Sequence, residues 1–172
     1  MVKKSFRAGA LRVGASFILA LGLGLGYQSA AHAYVLTGEY AVDEGEIRWV
    51  DSTRWDDARK NAHSVWNALG CITIAADTSA TYSDIEWLDY SEDDDTYGIY
   101  DNDSIGTDEI YLNSYYMSGF STARRRNVAA HELGHALGLG HVSNGSALMY
   151  YDNTTITSPQ TDDRNGYRAQ WC

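Results

Sequence analysis

The chain has 172 residues, with 13 basic and 23 acidic side chains and a formal net charge of −10 at neutral pH. This length suits one domain with a single hydrophobic core. The acidic balance excludes proteins that bind nucleic acid or anionic membranes through their charge.

The first 33 residues predict a secretory signal peptide. Residues 1–12 carry four basic and no acidic side chains, residues 13–26 are apolar, and Ala31-His32-Ala33 fits the small-x-small cleavage rule. A membrane anchor is disfavoured because the apolar run is shorter than the ~20 residues that a span needs, and glycines break it. We therefore expect a secreted, extracellular domain at 34–172 with a formal charge of −14. The short signal favours a bacterial host.

Hydrophobic periodicity predicts the first elements of this domain. Glu46 to Asp51 alternates as a strand does. An amphipathic helix follows, with Thr53 as its N-cap and Gly70 as its stop. His63 falls on the polar side of that helix, so we expect it to be exposed.

The remaining elements alternate between short strands and helices. A helix is predicted from about Ser121 to Leu137, and a last helix begins near Ser158 with Pro159 at its first position. This order predicts a twisted sheet with helices packed on it. The further predicted strands are Cys71–Ala75, Ile85–Tyr90, Thr96–Tyr100 and Glu109–Asn113.

Cys71 and Cys172 are the two cysteines of the chain. The predicted export signal sends them to an oxidising compartment, where one disulfide is the simplest interpretation. Free or intermolecular thiols are the alternative, which only geometry decides.

Residues 131–141 read HELGHALGLGH and predict a metal site. His131 and His135 are ~40° and ~6 Å apart on a helix, so both rings project from one face. Gly138 can adopt the positive φ that ends a helix, which lets the chain reverse and bring His141 to the same ion. Three neutral imidazoles leave a tetrahedral zinc with one open position. Glu132 lies ~100° round the helix, within reach of a zinc-bound water.

Two other interpretations of this stretch are a buried helix that happens to hold histidines and a structural zinc site. Structural sites usually close their shell with four protein ligands, often cysteines. Both cysteines are distant in sequence and Glu132 adjoins the first histidine. These features favour catalytic zinc.

The stretch resembles the zinc-binding motif of the metzincins, H-E-x-x-H-x-x-G-x-x-H, at every defined position. Residues 146–150 look like the Met-turn of that clan. Within the clan the chain most resembles the matrixins, through residues 147–150 and 160–167. The resemblance implies an α/β (α+β) metzincin-like domain with a twisted, mixed, five-stranded sheet and two long helices. It also implies a small C-terminal subdomain with the Met-turn and a final helix, in which Met149 forms an apolar floor beneath the zinc.

The resemblance further implies a secreted zinc-dependent endopeptidase that acts as a monomer on extended protein or peptide substrates. Zinc would activate water and polarise the scissile carbonyl, with Glu132 as general base. Metzincins pair substrate with an edge strand above the zinc, for which residues 97–100 are our candidate. An exported zinc-binding protein without catalysis is disfavoured by the intact Glu132. A zinc amidase acting on cell-wall peptides is disfavoured by the edge-strand architecture.

Two weaker predictions concern Tyr151 and calcium. Tyr151 has the spacing from Met149 at which astacins and serralysins carry a tyrosine that reaches the zinc or the oxyanion; a pocket-wall aromatic is the alternative. Matrixin-like enzymes often hold structural calcium in the region of the acidic turns 92–95 and 101–103. The spacing matches no defined calcium loop, so solvated turns are the alternative.

Overall fold

Five strands form a mixed sheet in the computed structural model, which describes residues 34–103 and 105–172. The predicted signal peptide lies outside the described residues. The elements are, in chain order, β1 (Val35–Leu36), β2 (Glu46–Asp51), α1 (Asp56–Asn67), β3 (Thr73–Ala76), β4 (Ile85–Tyr90), β5 (Gly98–Asp101), β6 (Asp108–Asn113), α2 (Ser114–Met117), α3 (Thr122–Ala136), β7 (Leu139–Gly140) and α4 (Thr161–Trp171).

The strand order in the sheet is β3-β2-β4-β6-β5. All neighbours are parallel except β5, which runs antiparallel to β6 at one edge. Side chains along the central strands β4 and β6 alternate between the two faces of the sheet. The residues that are fully buried on these strands include Ile85, Trp87, Ile110 and Leu112. This mixed α/β architecture agrees with the fold class that the sequence predicts.

Helices α1 and α3 pack against each other and against the sheet. Ala58, Ala62 and Trp66 recur along one side of α1 and are fully buried. The Trp66 indole Nε1 donates a hydrogen bond to the Ala130 carbonyl of α3 at 2.8 Å. This contact fixes α1 against the helix that carries the predicted metal ligands.

The predicted N-cap at Thr53 is wrong. Its hydroxyl donates to the Asp89 carboxylate and accepts from the backbone N–H of Trp55 at 3.1 Å. Because this hydroxyl is engaged with a strand residue and with Trp55, α1 starts only at Asp56, with Trp55 at the N-cap position. A tertiary contact therefore overrides the local capping signal.

His63 is buried, which corrects the prediction of an exposed residue. Its ring lies 4.7 Å from the ring of Trp49 and 5.4 Å from that of Trp87, both on the sheet. The face of α1 that packs on the sheet therefore includes His63 as well as the apolar residues, because its imidazole ring packs against the two indole rings. Burial, assisted by the nearby charge of Arg59, lowers the pKa of His63 to about 3.

The final helix α4 begins at Thr161, two residues after the predicted first position at Pro159. Its N-cap is Gln160, which forms a capping box with Asp163, so Pro159 precedes the helix. Cys172 at its end forms a disulfide with Cys71, with a Cα–Cα distance of 5.7 Å. None of the helices in the described part of the chain has both the length and the apolar character to cross a membrane.

Candidate metal centre

Helix α3 carries the first two predicted ligands. Its N-cap Ser121 accepts a hydrogen bond from the Arg124 backbone N–H at 3.3 Å, and every residue from Asn127 to Ala136 is buried. Gly138 follows the helix with a φ of +81°, a left-handed conformation that favours glycine. The chain then forms β7, which pairs with β1 and leads directly into His141.

The Nε2 atoms of His131, His135 and His141 converge. The distances between them are 3.1 Å for 131–135, 3.2 Å for 135–141 and 3.0 Å for 131–141. Tetrahedral zinc with Zn–N bonds of 2.0–2.1 Å holds its nitrogen ligands ~3.3 Å apart. The three histidines are therefore spaced as one zinc ion requires.

Hydrogen bonds also set the protonation of two rings. Nδ1 of His131 lies 2.9 Å from the Leu148 carbonyl oxygen, and Nδ1 of His135 lies 2.7 Å from that of Leu139. Because a carbonyl oxygen can only accept, each Nδ1 carries the proton and each Nε2 presents a lone pair.

Burial keeps these rings neutral. It lowers the pKa of His131 well below its ordinary value, that of His135 to about 3, and that of His141 as well. The Nε2 atoms of His131 and His135 both present lone pairs and lie 3.1 Å apart, so they repel each other unless a cation lies between them. The donor set therefore fits zinc in chemistry as well as in spacing.

Glu132 is fully buried beside the first histidine. Neither of its carboxylate oxygens makes a hydrogen bond of normal geometry with any described residue. Burial raises the pKa of this carboxyl well above its ordinary value, and the backbone N–H of Tyr100 opposes the rise only in part. The buried carboxyl therefore favours its protonated form more strongly than an exposed glutamate does.

Asp163 supports the centre from α4, and sequence reasoning missed it. Its buried carboxylate accepts hydrogen bonds from the backbone N–H groups of Leu148 at 2.8 Å, Met149 at 3.0 Å and Gln160 at 2.7 Å. Leu148 in turn accepts from His131. The spacing Gln160-x-x-Asp163 is a capping-box signal that could have indicated its local role, but not its contact with Leu148.

Met149 lies beneath α3. It is 1% exposed, and a Cβ at Gly134 would collide with its sulfur. The next residues, Tyr150 and Tyr151, pack their rings 4.4 Å apart. Tyr150 also forms a bridge with Val142, directly after His141. The segment 150–156 therefore begins next to the third histidine and runs away from it along the chain.

The far end of that segment is fastened to α3 by Asn127, which sequence reasoning also missed. The Asn127 amide nitrogen donates to Thr154 Oγ1 at 3.1 Å and to the Ile156 carbonyl at 2.7 Å. Its amide oxygen accepts from the Thr154 backbone N–H at 3.0 Å and from Asn153 at 2.8 Å. Asn127 lies one helical turn before His131, so segment 150–156 forms one wall beside the centre. No sequence signal marked this residue.

Strand β5 lies on the other side of Glu132. It is an edge strand of the sheet, as expected for the candidate at residues 97–100, and it contacts α3. Tyr97 is buried just before this strand, with its ring 5.2 Å from that of Tyr116 and 5.1 Å from that of Phe120.

The acidic turns that sequence analysis singled out for calcium are engaged within the chain. Asp94 accepts a hydrogen bond from the Thr96 backbone N–H at 2.9 Å, and Asp93 accepts from the Tyr116 hydroxyl at 2.5 Å. The first bond is local to the segment that leads into β5, and the second ties the turn 92–95 to α2.

Fold and site together define an α/β domain with a three-histidine metal centre. The family model of the matrixins matches residues 26–171, and the chain belongs to this family, whose members are zinc metalloendopeptidases. Among solved structures, "GM1 bound form of the ECX AB5 holotoxin" is similar in fold, with a TM-score of 0.59 and 14% identity. The match covers 81% of this chain and 88% of that one. No curated protein matches the sequence.

Proposed function

We propose that this protein is a secreted endopeptidase that cleaves extended segments of extracellular proteins. The convergence of three neutral histidine Nε2 atoms within 3.2 Å, beside a buried carboxyl on the helix that bears two of these histidines, carries this proposal. Zinc bound there would supply an activated water and a polarised scissile carbonyl.

The protein's own groups have distinct roles in this proposal. His131, His135 and His141 hold the metal, and Gly138 allows the turn that delivers the third ligand. Glu132 takes a proton from the attacking water and passes it to the leaving amine. The raised pKa of its carboxyl suits a group that must both accept and release a proton. Met149 closes the floor under the ligands.

Substrate would lie between β5 and segment 150–156. The edge of β5 can add an extended peptide as a further strand, which provides main-chain hydrogen bonds that are independent of sequence. Side chains of the substrate would then point to the wall that Asn127 holds in place. This arrangement favours unfolded or loop segments of proteins over folded strands and helices.

Hydrolysis of casein or gelatin by the secreted protein tests the proposal, with and without 1,10-phenanthroline and beside Glu132→Ala. We expect both the chelator and the mutation to abolish cleavage, while Glu132→Ala still binds one zinc. Stoichiometric zinc without cleavage of any substrate would favour the non-catalytic binding protein. Cleavage of cell-wall peptides alone in a substrate panel would favour the amidase.

Tyr151 is proposed to stabilise the oxyanion, and Tyr151→Phe tests this role. Loss of one hydrogen-bond donor from an oxyanion site lowers kcat about 100-fold. An unchanged kcat with an altered substrate preference would assign Tyr151 to the pocket wall, where its ring already contacts Tyr150.

Export and calcium are tested separately. N-terminal sequencing of protein from the culture medium should begin at Tyr34 if the signal is cleaved after Ala33. Structural calcium predicts that EGTA lowers the melting temperature of the zinc-loaded protein and that added calcium restores it. An unchanged melting temperature would assign the acidic turns to solvent and to their internal hydrogen bonds.

A further inference from the structure

Strand β5 lies directly against Glu132 at Gly98. A Cβ built on this residue would lie 2.8 Å from both Cγ and Oε1 of Glu132, and 2.9 Å from Cγ1 of Val128. Real Cβ atoms are not found so close to such neighbours. The φ of Gly98 is outside the left-handed region, so the backbone does not require glycine here. The requirement is for space.

That space is occupied by a carboxylate whose contact with the Tyr100 backbone N–H falls short of a hydrogen bond of normal geometry. Glu132 is fully buried, and neither oxygen has a hydrogen bond of normal geometry to a described residue. Its position therefore depends on what packs against it. Gly98 covers both the middle and the end of its side chain.

Strand β5 cannot retreat easily to accept a larger residue. Gly98 pairs with Leu112 of β6, and the Asn113 backbone N–H donates to the Tyr97 carbonyl at 3.0 Å. The buried Asn113 amide also donates to the Thr96 carbonyl at 2.8 Å. At the other end of the strand, the Tyr100 hydroxyl donates to Asp108. An added methyl group at position 98 would therefore displace the Glu132 side chain, which turns by rotation about single bonds.

We propose that Gly98 is a positioning residue for Glu132: its missing side chain leaves the space in which the carboxylate stands. This inference deepens the proposed function, because it names the group that fixes the general base. A methyl group at position 98 would displace the carboxylate, and none of the three atoms nearest to that methyl group belongs to a histidine.

The test compares Gly98→Ala with Gly119→Ala in protein secreted from the full chain. Gly119 is a matched control, because a Cβ there has its nearest neighbour at 3.7 Å and its φ is also ordinary. We expect Gly98→Ala to lower kcat about 100-fold, the cost of a misplacement of roughly 1 Å, with zinc affinity and KM unchanged. Gly119→Ala should change none of these values.

A second measurement needs no catalysis. In zinc-free protein, Gly98→Ala should lower the melting temperature by about 3 °C or more. In a Glu132→Ala background that loss should be at least halved, because two of the three close neighbours of the new Cβ are gone. Equal losses in both backgrounds would overturn the inference, as would an unchanged kcat in Gly98→Ala. If the wild type cleaves nothing, the proposed function fails. The difference between the two losses of melting temperature still tests whether Gly98 leaves the space that Glu132 fills.

Discussion

The Leu148 carbonyl oxygen accepts a hydrogen bond from Nδ1 of His131 at 2.9 Å. This bond fixes the tautomer of a metal-site histidine from a segment 17 residues further along the chain. Asp163 fixes Leu148 in turn through its backbone N–H. A chain of hydrogen bonds thus connects α4 to the metal centre, and such outer contacts strongly affect metal affinity.

Asp163→Ala should therefore weaken both the fold and zinc binding. Three backbone N–H groups lose their acceptor, and each unsatisfied donor costs about 1–3 kcal/mol, so we expect unfolding in urea to require about 3 kcal/mol less. Zinc affinity, measured by competition with a chromophoric chelator, should fall about 10-fold or more. Asp162→Ala is the control. It removes the neighbouring carboxyl, whose pKa is raised by burial and by the charge of Asp163, so this side chain is not expected to add stability. An equal loss in both variants would contradict the specific role of Asp163.

Acid should destabilise the protein partly through His63. Its pKa is about 3 in the folded state against an ordinary 6.5, so the unfolded chain binds the proton more tightly. The stability that neutral His63 provides is complete above pH 6.5 and falls by about 1.4 kcal/mol per pH unit toward pH 3. His63→Phe should flatten this part of the pH profile in zinc-free protein, as measured by urea unfolding at several pH values. Parallel curves of unfolding free energy against pH for the two proteins would contradict the prediction.

Glu132→Gln should stabilise the zinc-free protein while abolishing catalysis. Because burial raises the pKa of Glu132, its ionisation costs stability as pH rises above the ordinary value of 4.5. The neutral amide removes that cost, so Glu132→Gln should exceed wild type by about 1 kcal/mol or more at pH 7.5. The difference should shrink toward pH 4.5. A less stable variant at pH 7.5 would show that the carboxylate is well satisfied in the fold.

The disulfide should contribute strongly to stability. Cys71 and Cys172 are separated by 101 residues, and closing a loop of this length stabilises a fold by about 4–5 kcal/mol in the chain-entropy model. The double variant Cys71→Ala/Cys172→Ala should lose about that much in urea unfolding. Wild type under reducing conditions should match it, and a reduced wild type as stable as the oxidised protein would contradict the prediction.

Asn127→Ala should release segment 150–156 without removing a metal ligand. The part-buried Ile156 carbonyl and Thr154 backbone N–H lose their partner, which costs about 2 kcal/mol. Hydrogen exchange at residues 153–157 should become faster, while zinc affinity stays at the wild-type value. Hydrogen exchange as slow as in the wild type would contradict the prediction. It would show that Asn61, which donates to the Thr157 carbonyl at 2.8 Å, is sufficient to hold the segment.

The sequence by itself determined what depends on neighbours along the chain. The 131–141 motif indicated a three-histidine site because helical spacing and one glycine act within a few residues. Alternation and periodicity placed α1, β2, β4 and α3 within a few residues of their bounds, since an amphipathic pattern reflects the burial of one face.

Only the tertiary structure decided which polar residues lie inside and what supports the centre. His63 is buried because two tryptophans from the sheet meet it, and Thr53 does not cap α1 because Asp89 engages it. Asp163, Asn127 and Gly98 act on the metal centre across gaps of up to 34 residues, through contacts that no local pattern encodes. Packing between distant segments determines such contacts, and a single sequence records the residues without recording which of them meet.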